Sequence, residues 1–404
     1  MKKVDAGTRN IGCYAAMSAS HTSALPMVNG ALMQLFLADR GLTTLQIGTF
    51  ATIVQLSTLL GTIIFSRVVD KNDNPRRFTM LVLLGHTLLS LCYLLLIKAS
   101  VPPRTILLMT TILAAAITVL GGLKGNLDYK LPYQIIPLER YGNMIFLNSA
   151  VNGVVGIGLS FCFSQIIATK FGGNPYLWCM LLASGLLLIS SLSCYLMKPI
   201  ESAEVVIRKN NMSTRQLLEM FRSPIFKAII PPTILRGVTF GIVGSMVLVM
   251  LNLGYSDAET SKLPIITACG CLAAAGIHHF LSSKIKMPSI GTVGSILLLA
   301  VLFLPKGNTW LFYGLCLLVF TGQKLIDCTI PIMVIHIVDP KIAGAYNAWR
   351  NTILFLVSTI ATYATALLLE KGLTTVVLVA CAVGYFAGMF LHKRMYYRFT
   401  EQDR

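Results

Sequence analysis

The sequence predicts an all-α membrane protein with twelve transmembrane helices arranged as two six-helix bundles. Three observations carry that prediction. The 404 residues are 55% hydrophobic and 12% charged, with a mean hydropathy of +0.73, whereas a soluble chain carries roughly twice that charge fraction. The apolar residues come in runs of about 18 or more, long enough at ~1.5 Å per residue to cross ~30 Å of hydrocarbon. One long polar stretch, KPIESAEVVIRKNNMSTRQLLEMFRSP over 198–224, divides the runs six and six.

The first run, 11–37, opens IGCYAAMSASHTSALPMVNG. It is too long and polar-studded for a signal-peptide core and has no cleavage site, so it is read as a span. Spans over 45–66, 78–98, 105–135, 143–168 and 175–197 complete the first half. Residues 198–225 form a cytoplasmic linker, in which STRQLLEMFRS predicts an amphipathic surface helix with Leu217, Leu218 and Phe221 as its apolar face. The second half holds spans over 226–252, 259–282, 288–304, 309–338, 342–369 and 373–391, then a short basic tail. The predicted domains are therefore 1–197, the linker, and 226–404.

The formal net charge of +17 is a topology signal. Lys2, Lys3, Arg9, Arg67, Lys71, Arg76, Arg77, Lys198, Arg208, Lys209, Arg215, Arg222, Lys393, Arg394, Arg398 and Arg404 all fall on one side, while loops such as ADRGLTTLQ and FGGNPY are nearly bare. The positive-inside rule then places both termini in the cytoplasm. A bacterial inner membrane is the expected location, and a monomer the expected state. The basic excess attracts anionic lipid at most, and no nucleic-acid partner is expected. The ten cysteines lie almost entirely in apolar runs without C-x-x-C or histidine spacing, so they are read as small buried hydrophobes, and no metal site is expected.

The halves echo one another. Gly122-x-Lys124-x-x-x-Asp128-x-x-x-Pro132 recurs as Gly322-x-Lys324-x-x-Asp327-x-x-x-Pro331, each closing the fourth span of its half. Each is followed by a Pro-to-Gly turn, PLERYG and PKIAG. A parallel duplication of six spans is a recurring plan among transporters.

After the second span comes SRVVDKNDNPRR, Ser66 to Arg77. This stretch resembles the loop signature of the major facilitator superfamily, G-x-L-x-D-[RK]-x-G-[RK]-[RK]. Asp70 and Lys71 match its D-[RK] pair, and Arg76 and Arg77 its trailing basic pair. Ser66 and Asp73 stand where glycines are usual, and about two residues are inserted. PLERYGN over 137–143 resembles the family's turn between spans four and five. The resemblance implies that Asp70 pairs with a neighbouring helix end and that the basic residues gate the cytoplasmic side. Positive-inside anchoring explains the arginines equally well. The family's arginine in span four is missing, and NGVVGIG in span five lacks the proline of the antiporter signature. The glycines there suggest close helix packing.

An ionisable group facing lipid at mid-bilayer costs at least ~2.5–3.5 kcal/mol, so it normally faces a partner or a cavity. His21 in span one, Lys124 and Asp128 in span four, Arg236 in span seven, and Lys324 and Asp327 in span ten are the deep candidates. In the resembled family those four spans line the central cavity. Lys124–Asp128 and Lys324–Asp327 have the spacing of ion pairs within one helix. They either neutralise themselves or lose a partner to a substrate or a proton. His86 and His278–His279 lie in spans three and eight, off the expected cavity, and are read as helix-packing or interface residues. Arg350, about ten residues into span eleven, is either a gate residue or snorkels to the headgroups.

The resemblance and the buried charges together lead to an expected secondary transporter working by alternating access on a small solute. Three cations against two carboxylates favour an anionic or zwitterionic substrate, with a proton as coupling ion and no cofactor. An exporter of amphiphilic compounds is the rival. The sequence has no P-loop, H-E-x-x-H or G-x-S-x-G pattern, so ATP hydrolysis or an intramembrane enzyme is disfavoured. A non-transporting sensor would usually carry an appended soluble domain, and the longest polar loop, 198–224, is short, so that reading is disfavoured as well.

Overall fold

The structure is a computed structural model that describes residues 6–71, 74–99, 101–136, 141–199, 222–282, 284–335 and 343–400. Those residues fold almost wholly into helices. In chain order they are α1 (Ala6–Val28), α2 (Ala31–Asp39), α3 (Thr44–Lys71), α4 (Pro75–Lys98), α5 (Pro103–Ile135), α6 (Tyr141–Ala168) and α7 (Pro175–Leu196). Then follow α8 (Pro224–Gly244), α9 (Met246–Asn252), α10 (Asp257–Thr260), α11 (Leu263–Ser282), α12 (Met287–Leu298), α13 (Thr309–Ile335), α14 (Ala343–Glu370) and α15 (Thr374–Thr400).

Ten helices among the described residues are long and apolar enough to cross a membrane, and Pro288–Phe303 is a shorter apolar one. The remaining expected span is the more polar α1 with α2. Their break at Gly30 is steric: a Cβ there would lie 2.9 Å from the Pro26 Cα, so the chain turns where only glycine fits. The seventh expected span is likewise divided at Ser245 into α8 and α9.

Helix starts are written into the sequence. Asn74, Asn174 and Ser223 each precede a proline, and each side-chain oxygen accepts a backbone N–H three residues on, from Arg77, Leu177 and Phe226. Proline at the first helical position loses no bond there, so cap and proline act together. A Ser256–Glu259 capping box opens α10.

The chain forms two compact units, residues 1–208 with 256–268, and residues 209–255 with 269–404. In the first, α5 packs on α3 and α4, and α7 packs on α1 and α4. In the second, α8 packs on α14 and α15, and α12 on α13. Large apolar side chains divide by position: Phe36, Phe163 and Phe312 are fully buried, whereas Leu95, Phe280 and Trp310 are 76%, 69% and 83% exposed. That outward greasy surface suits hydrocarbon.

Glycines set the closest crossings. A Cβ on Gly122 would stand 2.5 Å from the Thr62 nitrogen of α3 and 2.8 Å from the Gly61 carbonyl carbon. Its counterpart Gly322 abuts Gly294 and Leu298 of α12 in the same way. Both opening glycines of the repeated motif therefore press a helix onto its neighbour. In NGVVGIG the packing expectation holds at Gly156, 3.3 Å from the Ala268 Cβ by the same test, but Gly158 faces open space.

Three readings need correction. The last helix runs to Thr400, nine residues past the expected end, because Lys393, Arg394 and Arg398 lower hydropathy without disfavouring helix. Cys92, Cys162 and Cys328 are exposed, not buried. Arg350 is only 6% exposed, so it does not snorkel outward. The expected surface helix lies outside the described residues as far as residue 221, as do residues 137–140 of the PLERYG turn.

Candidate functional site

In the first unit, α5 carries Lys124 and Asp128 one turn apart, with Nζ 2.7 Å from Oδ2. Lys124 is 8% exposed and Asp128 33%. The same turns send Leu123 and Leu127 into an apolar cluster with Val69 and Val82. Asn126 donates from Nδ2 to the Thr62 carbonyl at 2.8 Å. The i, i+4 expectation thus holds here, with the helix anchored on its other faces.

His21 of α1 meets a partner that sequence reasoning assigned to packing. Its Nε2 lies 3.3 Å from Nδ1 of His86 on α4, and the rings stack with centroids 5.3 Å apart. Nε2 of His86 lies 3.0 Å from the Ile117 carbonyl oxygen of α5. That carbonyl can only accept, so His86 carries its proton on Nε2 and accepts on Nδ1. His21 must then donate from Nε2, which leaves its Nδ1 as an acceptor. Lys124 is near enough to interact electrostatically with both rings. The one available signal for His86 was its cost: a histidine within a span needs a partner.

In the second unit the expected pairing changes. Arg236 of α8 donates from Nη2 to Oδ1 of Asp327 on α13 at 2.5 Å, with the two side chains 11% and 19% exposed. Lys324 makes no ion pair within 4 Å among the described residues, although it feels the charges of Asp327 and Arg236. Spacing along one helix permits a Lys324–Asp327 pair, but the guanidinium from a neighbouring helix, a better partner for a carboxylate than an ammonium, occupies Oδ1 first. Lys324 therefore stands as a cation beside a pair already made.

Helix α15 closes this cluster from another side. Gly384 and Gly388, a G-x-x-x-G pair, bring it against α8; a Cβ on Gly384 would meet the Thr239 Cγ2 at 2.6 Å. Tyr385 and His392 thereby reach the surroundings of Arg236. Neither was foreseen, and His392 had been placed in the tail. Arg350 of α14 is buried, near enough to interact with His392.

Of the residues expected to gate, Arg76 donates to the Met197 carbonyl, tying the start of α4 to the end of α7. Arg77 is exposed. The side chains of Asp70 and Lys71 lie outside the described residues. Sequence reasoning also missed Asn10, fully buried, whose Nδ2 donates to the Ile135 and Lys198 carbonyls, both at 2.7 Å, while its Oδ1 accepts from the Lys198 N–H at 2.9 Å. It laces together the ends of α1, α5 and α7.

This chain is similar in fold to solved transporters. A D-xylose-proton symporter matches with a TM-score of 0.71 at 13% identity, over 95% of this chain and 96% of that one. The nucleoside transporter NupG matches with a TM-score of 0.65 at 11% identity, over 97% and 99%. A bacterial homologue of the iron transporter ferroportin, in an outward-facing state, matches with a TM-score of 0.66 at 14% identity, over 98% and 100%. No curated protein matches the sequence. The Major Facilitator Superfamily pattern matches residues 13–362. With the helical architecture and these likenesses, the chain belongs to the Major Facilitator Superfamily of membrane transporters.

Proposed function

We propose that this protein is a secondary active transporter that moves a small anionic or zwitterionic solute across the cytoplasmic membrane by alternating access, coupled to protons. The observation that carries the reading is the Arg236–Asp327 pair between two helices, with Lys324 beside it. Two cations and one carboxylate leave this cluster one positive charge in excess. The first-unit cluster balances itself, since Lys124 and Asp128 cancel and the two histidines, linked to each other and to the Ile117 carbonyl, add no charge as neutral rings. An anionic group is therefore drawn to the second-unit cluster. A proton arriving on Asp327 removes the carboxylate's hold on Arg236, and the freed guanidinium and Lys324 then take the solute's carboxylate or phosphate.

The named similar structures include a proton symporter and a nucleoside transporter, which supports testing coupled uptake. The experiment begins with thermal stabilisation of purified protein by a panel of amino acids, carboxylic acids, sugar phosphates, nucleosides and D-xylose. A bound solute raises apparent stability by mass action. A compound that stabilises wild type is then followed into proteoliposomes with and without an imposed pH gradient. Stabilisation by acidic or zwitterionic members and accumulation along the gradient support the proposal. Stabilisation confined to uncharged members removes the anion-binding role, and gradient-independent transport removes the proton.

A further inference from the structure

The space behind Arg236 is lined by two residues that each carry a buried polar atom without a hydrogen-bond partner among the described residues. A cavity among α8, α13 and α15, lined chiefly by Arg236, Ile326, Tyr385 and His392, has about 10 Å³ open to the centre of a water molecule. That is close to the least volume one water needs. His392 is 1% exposed, and its Nδ1 lies 2.9 Å from the Gly388 carbonyl oxygen. The carbonyl only accepts, so Nδ1 of the neutral ring bears the proton and Nε2 is an acceptor. That Nε2 has no partner among the described residues. Neither does the buried Nε–H of Arg236, whose Nη2 is committed to Asp327. Unmet polar atoms in a low-dielectric interior are costly, and a donor and an acceptor lining one water-sized space are complementary.

We infer that one water molecule bridges Arg236 Nε–H to Nε2 of His392, which makes His392 a positioning residue for the guanidinium. The water accepts from Arg236 and donates to His392. Asp327 grips Nη2 while the bridge grips Nε. When Asp327 is protonated, Arg236 keeps its aim at an arriving carboxylate or phosphate; this consequence rests on the proposed function, whereas the bridge itself does not.

The test is nitrogen NMR on protein labelled with 15N-histidine in lipid bilayers, with the His392 signals assigned by their loss in His392→Gln. The expected spectrum shows a neutral ring protonated on Nδ1, with magnetisation passing from water to Nε2. In the double variant Arg236→Met with Asp327→Leu, which removes both charges together, the water contact falls several-fold and Nε2 moves to the shift of a free acceptor, while Nδ1 stays in place. A ring protonated on Nε2, no water contact in wild type, or an unchanged contact in the double variant overturns the inference. A merely structural histidine would give the same Nε2 shift in both proteins. No substrate enters the measurement, so its failure is distinguishable from failure of the transport proposal.

Discussion

Removing Asp327 should damage the fold more than removing Arg236, although the two form one ion pair. Charge centres roughly 4 Å apart at an effective dielectric of ~20 attract by about 4 kcal/mol. Losing one member of a buried pair costs about 3–5 kcal/mol, because the survivor remains desolvated and alone. Here the survivors differ. Arg236→Met leaves Asp327 beside Lys324, three residues away on its own helix, and a lysine at that spacing can take up the carboxylate. Asp327→Ala leaves two cations facing each other with no counter-charge. Asp327→Ala should therefore fall in the ~3–5 kcal/mol range, or roughly 10 °C in apparent melting temperature for a unit of this size. Arg236→Met should cost about half as much. The double variant Arg236→Met with Asp327→Leu should be more stable than Asp327→Ala, since only Lys324 is then left without a counter-charge. Unfolding of each variant in matched detergent, followed by tryptophan fluorescence, reads the order directly. Equal losses for the two single variants, or a double variant as unstable as their sum, would refute the reasoning that Lys324 is the reserve partner.

Other consequences are more local. Asp128→Asn should cost more than an exposed pair would, about 1–3 kcal/mol, because it leaves the buried Lys124 without its carboxylate, while transport of a compound found to stabilise wild type should persist; loss of uptake in a folded variant would give the Lys124–Asp128 pair a part in transport. Gly122→Leu should lower melting by more than Gly125→Leu, since a side chain at 122 collides with the α3 backbone while that at 125 meets open space. Asn10→Ala should cost about 2–4 kcal/mol in thermal unfolding, because three bonds to buried or half-buried main-chain groups are lost at once.

The spans were legible because a bilayer demands long apolar runs, and the repeated Gly–Lys–Asp–Pro motif marked where charge enters the interior. Periodicity within one helix predicted Lys124–Asp128 correctly, since both ends of that contact lie on α5. It misassigned the partner of Asp327 for the same reason: Arg236 is 91 residues away, and spacing along one helix carries no information about a neighbouring one. His86 failed to stand out because its partner comes from α1 and its anchor from α5. His392 was hidden by the neighbouring basic residues, which pull hydropathy down just where α15 still packs against α8. The break at Gly30 coincides with a close approach to Pro26 that hydropathy does not register, and the one at Ser245 with a local change of backbone dihedrals that hydropathy does not register either.

The central claim is that Asp327 exchanges a proton for its hold on Arg236. Asparagine mimics the protonated carboxyl, uncharged and holding the guanidinium only weakly, so Asp327→Asn should lock the cluster in its proton-loaded form. The deciding measurement compares wild-type and Asp327→Asn proteoliposomes using the compound that best stabilises the purified wild-type protein. The account predicts that Asp327→Asn retains exchange of labelled for unlabelled compound at equal pH, while accumulation driven by a pH gradient disappears. Gradient-driven accumulation at the wild-type level in Asp327→Asn would contradict it.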